Sequence, residues 1–113
     1  MTLEETVRDS LATVSGASLV SARAGRAGEV VELLRAAEGE VVLLLIDSSI
    51  QSIDRAMLIA AIGPLAIEKA PHARIGAIDV MAGAAVEDVA ASARFLAAAC
   101  STTGQVLTVV AQG

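Results

Sequence analysis

The sequence predicts an α/β fold, a three-stranded parallel sheet with helices on both faces. Two short apolar runs, Val41–Ile46 and Arg74–Val80, lack the polar alternation of a half-solvated strand, the pattern of parallel strands covered on both sides. Helical patterns separate these runs from each other and from a third, Gln105–Val110, giving the order helix, strand, helix, strand, helix, strand. That order implies parallel pairing with right-handed crossovers. No repeat or low-complexity linker divides the 113 residues, so residues 1–113 form a single domain.

The elements follow in order. Thr2 and Glu5 have the spacing of a capping box, which starts a helix in which Leu3, Val7, Leu11 and Val14 recur on one face. A second amphipathic stretch with Val30, Val31, Leu33 and Leu34 runs to Ala37. Gly16, Gly25 and Gly28 interrupt the pattern, predicting a bend or break between two helical pieces. Gly39 releases the chain into Val41–Ile46. The next helix, about Ser52 to Ala70, is apolar around most of its circumference between Ala56 and Ile67, so it has two sides to bury. Pro64 removes one of its backbone donors, which predicts a kink, and Pro71 ends it. After the second strand, Gly83 precedes a helix over Val86–Ala99 with Glu87 and Asp88 in its favourable first turn. Thr103-Gly104 then turns the chain into the third strand.

Composition narrows the function. The chain is 55% apolar and 1% aromatic, with Phe95 its one ring, so Ala, Val, Leu and Ile must build the interior. Such side chains bury little area each, and an isolated monomer is expected to be marginal. Eight basic residues against thirteen acidic ones, with no basic run, argue against nucleic acid as a partner. One cysteine, Cys100, fits a reducing compartment and reads as a small packed residue. Met1 ahead of a well-capped helix reads as a natural start. The acidic N-terminus is unlike a signal peptide and the run Ala56 to Ile67 is too short to span a bilayer, so the expected location is cytoplasmic, away from membranes.

Several fragments, in order, resemble the C-terminal half of the short-chain dehydrogenase/reductase family. Val86-Glu-Asp-Val-Ala-Ala-Ser-Ala-Arg-Phe-Leu-Ala followed by Thr103-Gly-Gln-Val-Leu-Thr-Val and Gly113 resembles that family's "pEDVAaavlFLas" helix and "tGqvlxVdGG" strand. Thr2-Leu-Glu-Glu-Thr-Val-Arg-Asp-Ser-Leu is similar to its "sleewdrvldvN" helix, and Leu33-Leu-Arg-Ala-Ala-Glu-Gly-Glu-Val-Val to its "lmraagGxIV" segment. Leu65-Ala-Ile-Glu68, Ala70-Pro71 and Arg74-Ile-Gly-Ala-Ile resemble "LAxElap...iRVNAI". The resemblance implies a truncated Rossmann-like sheet that lacks the nucleotide-binding half, hence no cofactor.

The family's "TGxxxGxG" phosphate turn has no counterpart, because Ala24-Gly-Arg-Ala-Gly28 is read as lying inside a helical stretch rather than after a strand. Of the family's catalytic set, the chain has no Tyr. The resemblance places Gln51 at the Tyr position, Arg55 at the Lys position and Thr13 at the Asn position, with Ser48 or Ser49 for the Ser. Gln cannot serve as the acid and Arg stays charged, so hydride transfer by this chain alone is not expected. Val80-Met81 stands where the family has proline-glycine, and the substrate-covering insertion is cut to Ala82 to Ala85.

The remaining candidates for a site are Asp47, Ser48, Ser49, Gln51 and Arg55, since ligands of open parallel sheets gather at strand ends. Strand termination and helix capping explain Asp47-Ser48-Ser49 as well, and Asp54 with Arg55 reads as solvated surface charge. Lone His72 reads as a surface turn residue without metal-ligand companions, so no metal is expected, and Met57 and Met81 read as core filler. Resemblance also implies that the helix Ser52 to Ala70 and the one before it form an oligomer interface and that the final helix and strand form a second one, with Met57, Leu58, Ala61, Ile62, Leu65, Val30, Leu34 and Phe95 as interface residues. Loss of the preceding strands would leave one edge of Val41–Ile46 uncovered.

The leading expectation is a pseudoenzyme subunit. It would form a homodimer or tetramer, or a heteromer with a full-length short-chain reductase such as an acyl or polyketide ketoreductase. The alternatives are a cofactor-independent cyclase, isomerase or dehydratase using the strand ends, and a phospho-switch domain accepting phosphate on Ser48 or Ser49.

Overall fold

The computed structural model describes residues 2–99 and 103–112, which leaves Met1, Cys100 and Gly113 outside the described residues. The elements are α1 (Leu3–Leu11), β1 (Ala17–Ser21), α2 (Ala27–Ala36), β2 (Val41–Ile46), α3 (Ser52–Lys69), β3 (Arg74–Val80), α4 (Val86–Ala98) and β4 (Gln105–Val109). The capping box forms as the sequence predicts: the Glu5 amide donates to the Thr2 hydroxyl at 3.1 Å and the Thr2 amide to the Glu5 carboxylate at 3.3 Å.

The sheet has four parallel strands in the order β1-β2-β3-β4, not three. The additional strand lies in the stretch expected to be a bent helix. The helical period ends at Leu11, and Gly16, at φ 78°, turns the chain into β1, which pairs with β2 from Ala17↔Val41 to Ser21↔Leu45. Only Val20 has strong strand preference in the sequence Ala-Ser-Leu-Val-Ser. Pairing with an already apolar neighbour makes this strand, more than its own composition. β2 is therefore flanked on both sides, and the uncovered edge expected there belongs to β1 instead.

Every residue of β2 is buried, and its side chains alternate between two cores. Val42, Leu44 and Ile46 pack with Val30 and Leu34 of α2 and with Leu58, Ile62 and Leu65 of α3. Val41, Leu43 and Leu45 pack with Val7 and Leu11 of α1 and with Val89, Ala93 and Leu96 of α4. Helices α2 and α3 thus cover one face and α1 and α4 the other. All three β-α-β steps move in the same direction across the sheet, yet α4 crosses on the opposite face from α2 and α3. The third crossover consequently has the opposite hand to the first two, so the three cannot all follow the right-handed rule.

The predicted kink does not divide α3, which runs unbroken from Ser52 to Lys69 with Pro64 on its exposed side. At the amino end of the sheet, Gly39 has φ 123°, and a Cβ placed there would lie 2.6 Å from the Gly16 carbonyl oxygen. Gly39→Ala is expected to destabilise the domain by about 1–3 kcal/mol through backbone strain, with further loss from that clash. Urea unfolding followed by circular dichroism measures it.

Candidate functional site at the strand ends

The carboxyl ends of the parallel strands bring three loops together: β2 into α3, β3 into α4, and β1 into α2. In the first, Asp47 closes a local turn by accepting from the Ser49 amide at 2.8 Å and from the Ser49 hydroxyl. Ile50 folds beneath this turn and is buried, while Gln51 occupies the N-cap of α3 without a side-chain cap bond. Ser48 and Gln51 are exposed.

Arg55, one turn into α3, reaches back across this corner. Its guanidinium pairs with the Asp79 carboxylate and donates to the backbone oxygens of Asp47 at 2.7 Å and Ile50 at 3.2 Å. The two side chains are 14% and 7% exposed, which makes this a buried ion pair whose lone pairs and protons are met inside the chain. Asp54 points to a different loop, accepting the Gly25 amide at 2.8 Å. The reading of Asp54 and Arg55 as solvated charge is thus corrected: both are half-buried and each fastens a separate loop to the start of α3.

Asp79 was not singled out by the sequence reading. Its signal was a single charge within the run Ile75 to Val80, because a carboxylate in a strand covered on both faces requires a partner.

The structure gathers Asp47, Ser48, Ser49, Gln51 and Arg55 into one corner but leaves the other candidates elsewhere. Thr13 follows α1 and His72 precedes β3, so both lie at the amino end of the sheet, away from Gln51 and Arg55. His72 is exposed in a turn, and among the described residues no three His, Cys, Asp or Glu side chains cluster so as to hold a metal ion. Cys100 lies outside the described residues.

The segment Ala24–Gly28 also needs correction. It follows β1 and opens α2, which is a strand-turn-helix context and not the interior of a helix. It nevertheless does not fit a dinucleotide pyrophosphate: the Gly25 amide is already bonded to the Asp54 carboxylate, which would repel phosphate, and the exposed Arg26 guanidinium pairs with Glu29 at 2.9 Å.

Of the eight interface candidates, Val30, Leu34, Leu58, Ile62 and Leu65 lie in the core of the chain and Ala61 is half-buried. Met57 and Phe95 are 54% and 62% exposed, so Met57 is not core filler. Among the described residues no helix is long and apolar enough to cross a membrane.

A four-stranded parallel sheet layered between helices, with Arg55 and Asp79 paired at its carboxyl-end corner, defines an α/β protein compatible with a Rossmann-like fold. The chain belongs to the SDR-like family: the family model described as short chain dehydrogenase-like protein matches residues 10–109. Comparison with curated proteins and with solved structures finds no match.

The buried pair makes its own test. Asp79→Ala leaves the Arg55 guanidinium buried without its counter-ion and is expected to cost about 3–5 kcal/mol, whereas Arg55→Met with Asp79→Leu should recover most of that loss. Chemical denaturation of both variants decides whether the corner is a structural fastening.

Proposed function

We propose that this chain is a non-catalytic subunit of the short-chain dehydrogenase type that assembles through the outer face of α3, with copies of itself or with a full-length short-chain reductase. One observation carries the reading. Ile53, Met57, Ala60, Pro64 and Ile67 are all exposed and recur at alternating four- and three-residue steps, the spacing of a helix-packing seam. Ile53, Met57 and Ile67 are 76%, 54% and 80% exposed, and no charged residue interrupts the stripe. Exposed Ala56, Ala60 and Gly63 keep its middle low, and a Cβ on Gly63 would meet nothing, which permits close approach of another helix. Beside the stripe, Arg35 bridges Glu32 of α2 and Glu68 of α3, forming a polar rim of the kind that borders an apolar contact.

The strand-end corner supports the non-catalytic part of the reading. A carboxylate acting as a general base must reach the proton it abstracts, and those of Asp47, Asp54 and Asp79 each accept, through one oxygen, from groups of the chain itself.

Ile67→Glu is expected to halve the assembly mass measured by light scattering after size exclusion, while changing unfolding free energy by about 0.5 kcal/mol or less because the position is solvated. Mixing the wild-type chain with candidate reductases tests the heteromeric form. A monomer indifferent to every partner, or stoichiometric NADPH uptake by calorimetry, would overturn the proposal.

A further inference from the structure

β1 is an edge strand of the sheet, on a surface separate from the outer face of α3. The hydrogen bonds at the ends of its ladder fix which backbone groups face outward. The Val41 amide donates to the Gly16 carbonyl at 3.1 Å and the Ala22 amide donates to the Leu45 carbonyl at 2.8 Å. In a parallel ladder the groups that face a given neighbour recur every second residue, so positions 16, 18, 20 and 22 face β2. The N–H and C=O groups of Ala17, Leu19 and Ser21 therefore face the open side, where among the described residues only the Ala17 amide has a partner, the Val14 carbonyl at 3.4 Å.

β1 itself contains no Lys, Pro or bulge, devices that keep an edge strand from pairing, and the charged residues beside it, Glu4, Arg8 and Arg23, line the cavity that runs along the edge. Open cavities of about 370 and 420 Å³ lie along it, the first lined by Arg8, Leu19, Ser21 and Leu33 and the second by Leu11, Ala17 and Leu19.

We infer that this edge pairs antiparallel with β1 of a second copy across a two-fold axis at Leu19, joining two sheets into one. Charge selects this occupant and direction. Arg23, exposed, lies just beyond the carboxyl end of β1. Glu40, also exposed, lies at the amino end, where its side chain would stand 3.1 Å from a Cβ on Gly16. In the two-fold arrangement Ala17 faces Ser21 and Ser15 faces Arg23, so each Arg23 meets the Glu40 of the other copy. Leu19 of each copy exchanges its N–H and C=O with the other, and each Ser21 amide reaches the other's Ala17 carbonyl. Arg8, near the axis, is neutralised by its own Glu4 at 2.9 Å, and Leu33, 50% exposed, meets its counterpart on the α2 side.

The test combines backbone exchange with a charge swap. The Leu19 and Ser21 amides are expected to gain protection as concentration rises. Arg23→Glu should raise the dissociation constant of this contact roughly tenfold by turning two attractive pairs into repulsions, and Arg23→Glu with Glu40→Arg should restore it. Ile67→Glu removes the α3 contact alone, so that variant should still associate through β1, and adding Arg23→Glu should take it to monomer by sedimentation velocity. Concentration-independent exchange at Leu19 and Ser21, or an Ile67→Glu assembly unaffected by Arg23→Glu, would overturn the inference while leaving the α3 proposal standing.

Discussion

The constraint on which this structure depends is that all six residues of β2 are withdrawn from water. A strand of six aliphatic side chains with no polar alternation must have neighbours along both edges and helices over both faces. Each other element meets one of those demands. β1 and β3 satisfy its backbone, α2 and α3 cover Val42, Leu44 and Ile46, and α1 and α4 cover Val41, Leu43 and Leu45. The reversed hand of the third crossover follows the same demand. With α4 on the face of α2 and α3, only α1, nine residues long, would remain for the opposite face.

That demand explains what was legible in the sequence. β2 and β3 are apolar runs that could hardly be anything else, and the boundaries of β2 come out as expected, as does the start of α1 at its capping box. β1 was hidden because its order comes from its neighbour: two serines and an alanine have no strand preference of their own, and the spacing of Leu11 and Val14 extended a helical pattern towards it. Missing β1 also misplaced the open edge, and it disguised the strand-turn-helix context of Ala24–Gly28. Asp79 was visible as a charge in an apolar run, but its partner lies 24 residues earlier, on another element.

The cations show how this chain uses its polar groups. Arg55 joins the ends of β2 and β3, and Lys69 donates to the carbonyls of Arg35 and Ala37 at the end of α2, at 3.0 and 3.2 Å. Arg74 donates to the carbonyls of Leu96, Ala97 and Ala99, where the negative end of the α4 dipole favours a cation. With a single aromatic ring and many alanines, helix-to-sheet packing supplies limited area per residue, and these bonds hold helix ends that a larger core would fix by packing alone.

Many polar side chains of this chain are spent on internal bonds, while an apolar row lies on the outside of α3. Arg55, Lys69 and Arg74 cap carbonyls, Arg55 also pairs with Asp79, and Asp47 and Asp54 accept from backbone amides. Ile53 and Ile67, in contrast, contribute nothing to the core of their own chain while standing almost fully in water. Scattered exposed apolar residues are ordinary on a protein surface, but an uninterrupted row at helix-packing intervals is not. The same contrast separates the two sides of α3: its inner residues Leu58, Ile62 and Leu65 pack in the core and account for the helix being where it is, while Ile53, Met57 and Ile67 on its outer side stand exposed.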